Sequence, residues 1–292
     1  MLIPGACAGL TIFIDHVNRR KIVMNTFYNM ALEYLYVRAQ IAGIVRRSAP
    51  VDTIAFMVIN AMLLSLLHKE STKKKKTPVF WFFIPESERI EINTSTQKTC
   101  PVPHKETCWR SALQATTKYS ALAGALQALR VVMAKGSTIA NDPTTFFREF
   151  CSKRTGAGIL SVGGYVFLYK VARCALALRY GSDNYQHSAI AGLAAGTAFW
   201  LQPNTTILTS ALIATIRLLL DYLPRQLKAL REWPMPEVLF ALCNGILFHA
   251  RCMDMAHCPR FVIHMMDTAT RNRSNTIYNT YLKLINSVQL KT

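Results

Sequence analysis

Acidic residues are scarce in this chain: 16 Asp+Glu stand against 34 Lys+Arg, and charged residues of both signs make up only 17% of 292 residues. The net charge is +18. An ordinary soluble domain is about a quarter charged, so the chain is too apolar and too one-sidedly basic for that class. Cysteine is sparse as well. Eight in 292 residues, without a regular framework, exclude a disulfide scaffold. Disorder is excluded because 51% of the chain is hydrophobic and demands burial. No P-loop, dinucleotide fingerprint, H-E-x-x-H or nucleophile–base pattern occurs, and the glycines of residues 156–164 are not followed by G-K-[ST]. Nothing therefore points to catalysis, and the chain reads as a non-enzyme without a cofactor.

What remains is a membrane protein with basic loops or a basic nucleic-acid binder, and the placement of charge separates them. From residue 184 to residue 216 there is no Asp, Glu, Lys or Arg. Shorter apolar stretches cover residues 53–67, 155–169 and 238–250, while the basic residues cluster between them, at 19–21, 46–47, 73–76, 153–154 and 225–231. Charge in the connections and none in the apolar blocks is the membrane pattern, and no nucleic-acid partner is expected. The fold class is all-α, a multi-pass helical membrane protein with short Gly-rich helical hairpins. The spans look short: residues 155–169 rise only about 22 Å as a helix, against a hydrocarbon core of about 30 Å.

The organisation reads as N-terminal membrane or interfacial helices over 1–68, then a basic polar loop with a Cys/His cluster over 69–112. A helical membrane region follows over 113–256, and a basic polar tail over 257–292, on the membrane surface or in solvent. Residues 22–45 read as an interfacial helix carrying Glu33, with a spanning helix whose Glu33 faces a polar cavity as the alternative. In the loop, Lys73, Lys74, Lys75 and Lys76 precede an aromatic cluster containing Trp81. That combination suits an anionic bilayer surface.

Gly192 and Gly196 form a G-x-x-x-G on an apolar helix, and Gly156, Gly158, Gly163 and Gly164 supply a second small-residue face about 30 residues earlier. The two faces are expected to meet in a tightly packed hairpin. Lys170, Arg173, Arg217 and Asp221 are expected as intramembrane or boundary charges, with Arg217 and Asp221 four apart and able to pair. Cys100, His104 and Cys108 have metal-like spacing, as do Cys252, His257 and Cys258. A closed zinc site takes four ligands. Neither cluster has four, though the two together would, so reduced thiols in a cytosol-facing loop are expected, and no metal.

Gly181-Ser182-Asp183-Asn184-Tyr185-Gln186-His187-Ser188-Ala189-Ile190-Ala191-Gly192-Leu193-Ala194-Ala195-Gly196, after a Gly-rich helix, resembles the hairpin signature of the mitochondrial inner-membrane translocase (Tim) family. It is more closely similar to the transmembrane protein 135 family, which carries such a region in its C-terminal half. Four further stretches resemble that family in the same order: residues 10–38 with the turn Ile14-Asp15-His16-Val17-Asn18-Arg19-Arg20, residues 54–68, Cys100-Pro101-Val102-Pro103-His104 through Cys108 to Arg130, and residues 239–259. The resemblance implies a multi-pass protein of the peroxisomal and mitochondrial membranes. It further implies regulation of mitochondrial and peroxisomal dynamics and of fat and cholesterol metabolism, with the lipid bilayer, organelle-dynamics proteins or a second copy of the chain as partners. The alternative expectation is a transporter or translocase-like conduit for lipid or solute, lined by Glu33, Lys170, Arg173 and Arg217.

Overall fold

Ser152 opens the most glycine-rich helix by accepting a hydrogen bond from the Thr155 amide at 3.4 Å. Gly181 closes it at φ 69°, a left-handed conformation that glycine adopts without strain. These two residues bound α6 (Lys153–Tyr180) in a computed structural model that describes residues 2–14, 16–46, 48–71, 100–102, 104, 106–221 and 235–289. Among the described residues every regular element is helical. Before α6 come α1 (Leu2–Gly9), a 3-10 turn (Leu10–Ile14), α2 (Val17–Ile41), α3 (Ala49–Ser71), α4 (Cys108–Asn141) and α5 (Thr144–Phe150). After it come α7 (Tyr185–Gly196), a second 3-10 turn (Thr197–Leu201), α8 (Thr205–Asp221), α9 (Met235–Met253), α10 (Arg260–Ala269) and α11 (Arg273–Gln289).

Local chemistry accounts for most boundaries. Pro50 sits in the first turn of α3, where its missing N–H is harmless, and Asp52 complements the positive end of the helix dipole. His68 and Lys69 lie in the last turn, where a cation suits the negative end. Asn184 and His187 form a capping box at the start of α7. Pro203 follows the second 3-10 turn, and the Asn204 side chain accepts from the Thr206 amide at 2.9 Å as α8 begins. Helix α4 is the longest of those described and is kinked at Lys135.

The chain forms two units, and they do not follow its linear order. One is Met1–Arg47 together with Leu223–Thr292; the other is Ser48–Tyr222. Helix α3 belongs to the second of these, because it packs on α7 and α8. In this second unit the core gathers Phe56, Leu63, Leu64, Val166, Ala191, Ala195, Leu208 and Leu218, with the Phe56 and Phe199 rings stacked at 4.4 Å. In the first unit α9 is central, packed by α1, α2, α10 and α11. Its core joins Met30, Ala31, Tyr34, Leu247, Ala250, Val262 and Met266. The segment expected as a polar tail therefore contributes to a core: Val262 is fully buried, and Asp267 bonds the buried guanidinium of Arg251 at 2.6 Å.

Among the described residues, two helices are long and apolar enough to cross a membrane, Ala49–Glu70 within α3 and Lys153–Tyr180. The second corrects the short-span expectation. Its 28 residues amount to about 42 Å of helix. The helix runs on through Lys170, Arg173 and Arg179 because Lys and Arg are good helix formers, and because Arg173 finds a partner beyond its end.

Candidate functional site

The second unit buries several polar groups beside its apolar core and leaves several large apolar side chains exposed. Asn60 and Ser188 are fully buried and Thr209 and Thr215 nearly so, whereas Ile54 is 60% exposed, Leu160 65% and Met133 78%. Asn60 on α3 donates to the Gly192 carbonyl on α7 at 2.7 Å, and the Tyr165 hydroxyl on α6 donates to Asn60 Oδ1 at 2.7 Å. One buried amide thus ties three helices together. The hydroxyl of Ser161 adds a bond to the Ala198 carbonyl at 3.0 Å. In water, such an arrangement leaves part of its large apolar surface unburied. In hydrocarbon that burial is worth nothing, and close backbone approach plus interhelical hydrogen bonds hold helices together.

The glycines make the approach close, but with a different pairing from the one their sequence suggests. A Cβ on Gly192 would meet the Ala61 Cα at 3.0 Å, and one on Gly196 would meet the Met57 Cα at 2.7 Å, so the G-x-x-x-G of α7 faces α3. On α6, Gly163 lies against Ser120 and Thr116 of α4, Gly158 against Gln127 and Gln202, and Gly164 against Ala198. The two glycine faces therefore turn to different helices. Gly156 has nothing within 4 Å and is no packing contact. A second G-x-x-x-G, Gly5 to Gly9 on α1, went unread in the sequence because the segment is short and sits at the start of the chain. Gly5 lies against Gly245 and Phe248 of α9, and Gly9 against Ala241. There too an asparagine bonds the first glycine of the motif: Asn244 donates to the Gly5 carbonyl at 2.6 Å. Each unit thus contains an Asn-bearing helix seated on a G-x-x-x-G helix that continues into a 3-10 turn.

The expected boundary charges are dispersed. Arg173 pairs with Asp183 through two bonds, Nε to Oδ1 at 3.2 Å and Nη2 to Oδ2 at 2.7 Å. His68 Nδ1 lies 3.4 Å from the same guanidinium, which only donates, and 3.1 Å from the Ser188 hydroxyl. The result is a polar knot joining the last turn of α3 and the last third of α6 to the start of α7. Lys170 and Arg217 are half-buried and engaged with partners; so is Glu33, but it belongs to the first unit. The Asp221 side chain, Lys73, Lys74, Lys75, Lys76 and Trp81 lie outside the described residues. An apolar groove of about 550 Å³ is lined by Ile54, Met57, Leu168, Ala198, Trp200 and Leu201. None of the four charges expected to line a conduit borders it.

The cysteines and histidine ahead of α4 are the residues that the fold brings together most tightly. Cys100, His104 and Cys108 are joined by Cys174 of α6, and their ligand atoms all lie within 4.8 Å of one another. Cys100 and Cys174 are buried with Val102 and Ala177, and Cys108 packs against them. Burial pushes the Cys100 thiol above its ordinary value. His104 Nδ1 lies 2.5 Å from the Glu106 carbonyl, which only accepts, so Nδ1 carries the proton. In the neutral ring Nε2 then carries the lone pair, and it lies 3.4 Å from Cys108 Sγ. Spacing could not reveal Cys174. Packing does: Gly163 of α6 meets Ser120 of antiparallel α4, and about three turns onward from Gly163 and back from Ser120 bring Cys174 opposite Cys108. Cys252, His257 and Cys258 lie in the first unit, where His257 bonds Asp254 at 2.6 Å instead. Comparison with protein-family models, with curated proteins and with solved structures finds no match to the chain.

Proposed function

We propose that the chain is a multi-pass organelle membrane protein that regulates mitochondrial and peroxisomal dynamics and lipid metabolism through membrane and protein interactions. The observation that carries its membrane part is the mixed polarity of the second unit, where Asn60, Ser188, Thr209 and Thr215 are buried beside the apolar core while Ile54, Leu160 and Met133 face outward. Two spanning-length apolar helices and the charge-free run of residues 184–216 support the same reading. The organelle and the process rest on the resemblance to the transmembrane protein 135 family. In this account the protein acts by assembling in the bilayer, through the α3–α7 seam, and by presenting the basic run Lys73–Lys76 to anionic lipid. No chemical step is involved.

The test compares mitochondrial length and peroxisome number in cells expressing the wild-type chain or the double variant Gly192→Leu/Gly196→Leu. Altered organelle morphology with the first and not the second is expected. Unchanged organelles with the wild-type chain would contradict the proposal. The groove beside Trp200 favours one second reading, a lipid-handling conduit that takes an acyl chain rather than a charged solute. Reconstituted liposomes showing no protein-dependent lipid movement would count against that reading.

A further inference from the structure

We propose that Cys100, His104, Cys108 and Cys174 form a structural zinc site that clips the start of α4 to the last third of α6. The donor set and its spread both fit zinc. In a tetrahedral site with Zn–S near 2.3 Å and Zn–N near 2.0–2.1 Å, neighbouring ligand atoms stand about 3.7 Å apart. Here the four atoms lie within 4.8 Å of one another, so closing on an ion takes side-chain shifts of about an ångström or less. Three thiolates and an imidazole in a tetrahedral arrangement select zinc over the hard cations. Four protein ligands leave no open position, so the site is structural and not catalytic.

An observation independent of the clustering also points to a metal. A metal-bound histidine almost always donates its other ring N–H to a carbonyl or carboxylate. The bond from His104 Nδ1 to the Glu106 carbonyl does that here and aims Nε2 at the sulfur cluster. A disulfide explains the group less well. It would join two sulfurs at about 2.05 Å, strand the third, and give the oriented ring nothing to bind. On coordination the three thiols release their protons to solvent. Thiolate ligands persist where the compartment is reducing. The site therefore also assigns the start of α4 and the nearby end of α6 to a cytosol-like side. The proposal does not depend on the organelle function.

The experiment is metal analysis of the full chain, isolated in mild detergent under reducing conditions without chelator. About one zinc per chain is expected, as for any closed four-ligand site. Cys108→Ser, Cys174→Ser and His104→Ala should each lose most of it, while Cys151→Ser, at an exposed cysteine, should keep it. His104→Cys should also keep it, because four thiolates hold zinc equally well. Cobalt exchanged into the wild-type chain should give the intense visible bands of tetrahedral thiolate coordination. Should the variants fail to fold, the wild-type chain decides alone: chelation should lower its thermal midpoint and re-added zinc restore it. A zinc-free wild-type chain that takes up no cobalt would overturn the proposal. So would full zinc content in Cys108→Ser and Cys174→Ser, or a disulfide between any two of Cys100, Cys108 and Cys174 in the freshly isolated protein.

Discussion

Replacing Gly196 by alanine adds a single methyl group, and the fold leaves no space for it. The new Cβ would stand 2.7 Å from the Met57 Cα and 2.8 Å from its Cγ. Ordinary carbon contacts begin near 3.5 Å, so α7 must retreat from α3 by most of an ångström. The flexible Met57 side chain can yield, but its backbone cannot. Overpacking of this kind costs about 1–3 kcal/mol. The retreat also stretches the Asn60–Gly192 bond, 2.7 Å long, although an interhelical hydrogen bond in a membrane averages only about 0.6 kcal/mol. Sterics therefore dominate, and the expected loss is about 2 kcal/mol. The control is Gly156→Ala on α6, where a Cβ meets nothing within 4 Å. There the gain in helix propensity, up to about 1 kcal/mol, should leave the protein as stable as wild type or more so. Thermal and mixed-micelle unfolding, followed by helical circular dichroism, would read both variants. Equal stability of Gly196→Ala and wild type would refute the close seam, as would equal destabilisation by Gly156→Ala.

Three further outcomes are expected. Asn60→Leu should destabilise the second unit by about 1–3 kcal/mol, because it leaves the buried Tyr165 hydroxyl without its acceptor; the double variant Asn60→Leu/Tyr165→Phe should recover part of the loss, measured in the same unfolding assay. Burial alone would raise the Asp267 carboxyl, but hydrogen bonds from Ser274 and Arg251 and the charge of Arg251 outweigh it and hold the group below its ordinary value of 3.8. That stability is present above the ordinary value and lost as pH falls through the lower folded value. Acid titration of the thermal midpoint should therefore be shallower in Asp267→Asn. Replacing Lys73, Lys74, Lys75 and Lys76 by alanine should weaken capture of anionic vesicles at least about tenfold, since each lysine near such a surface contributes about 1 kcal/mol; unchanged capture in a flotation assay would exclude surface docking by this segment.

The helical class was legible in the sequence, and so were the centres of α3 and α6, which stand out as the apolar blocks of residues 53–67 and 155–169; their limits were not. Which helices pair was not. Gly192 and Gly196 announce a close contact but not its partner, and the partner, α3, is distant along the chain and carries only Asn60 and Ala61 as faint marks. The same limit hid Cys174. Three ligands in a row are visible as a spacing, but the fourth is brought in by the α4–α6 register, which rests on Gly163, Ser120 and Thr116. The C-terminal helices were not legible because the apolar block of α10 is short and set among basic and polar residues, and the alignment of Val262 with Met266 on one face emerges only against α9.

Insertion in a bilayer is the central claim, and alkaline carbonate extraction of density-separated mitochondria and peroxisomes tests it most directly. The account predicts that the chain stays in the membrane pellet of one or both organelles, because its exposed apolar side chains are held by lipid. Release into the supernatant would contradict it and would leave Ile54, Leu160 and Met133 to be covered by a protein partner.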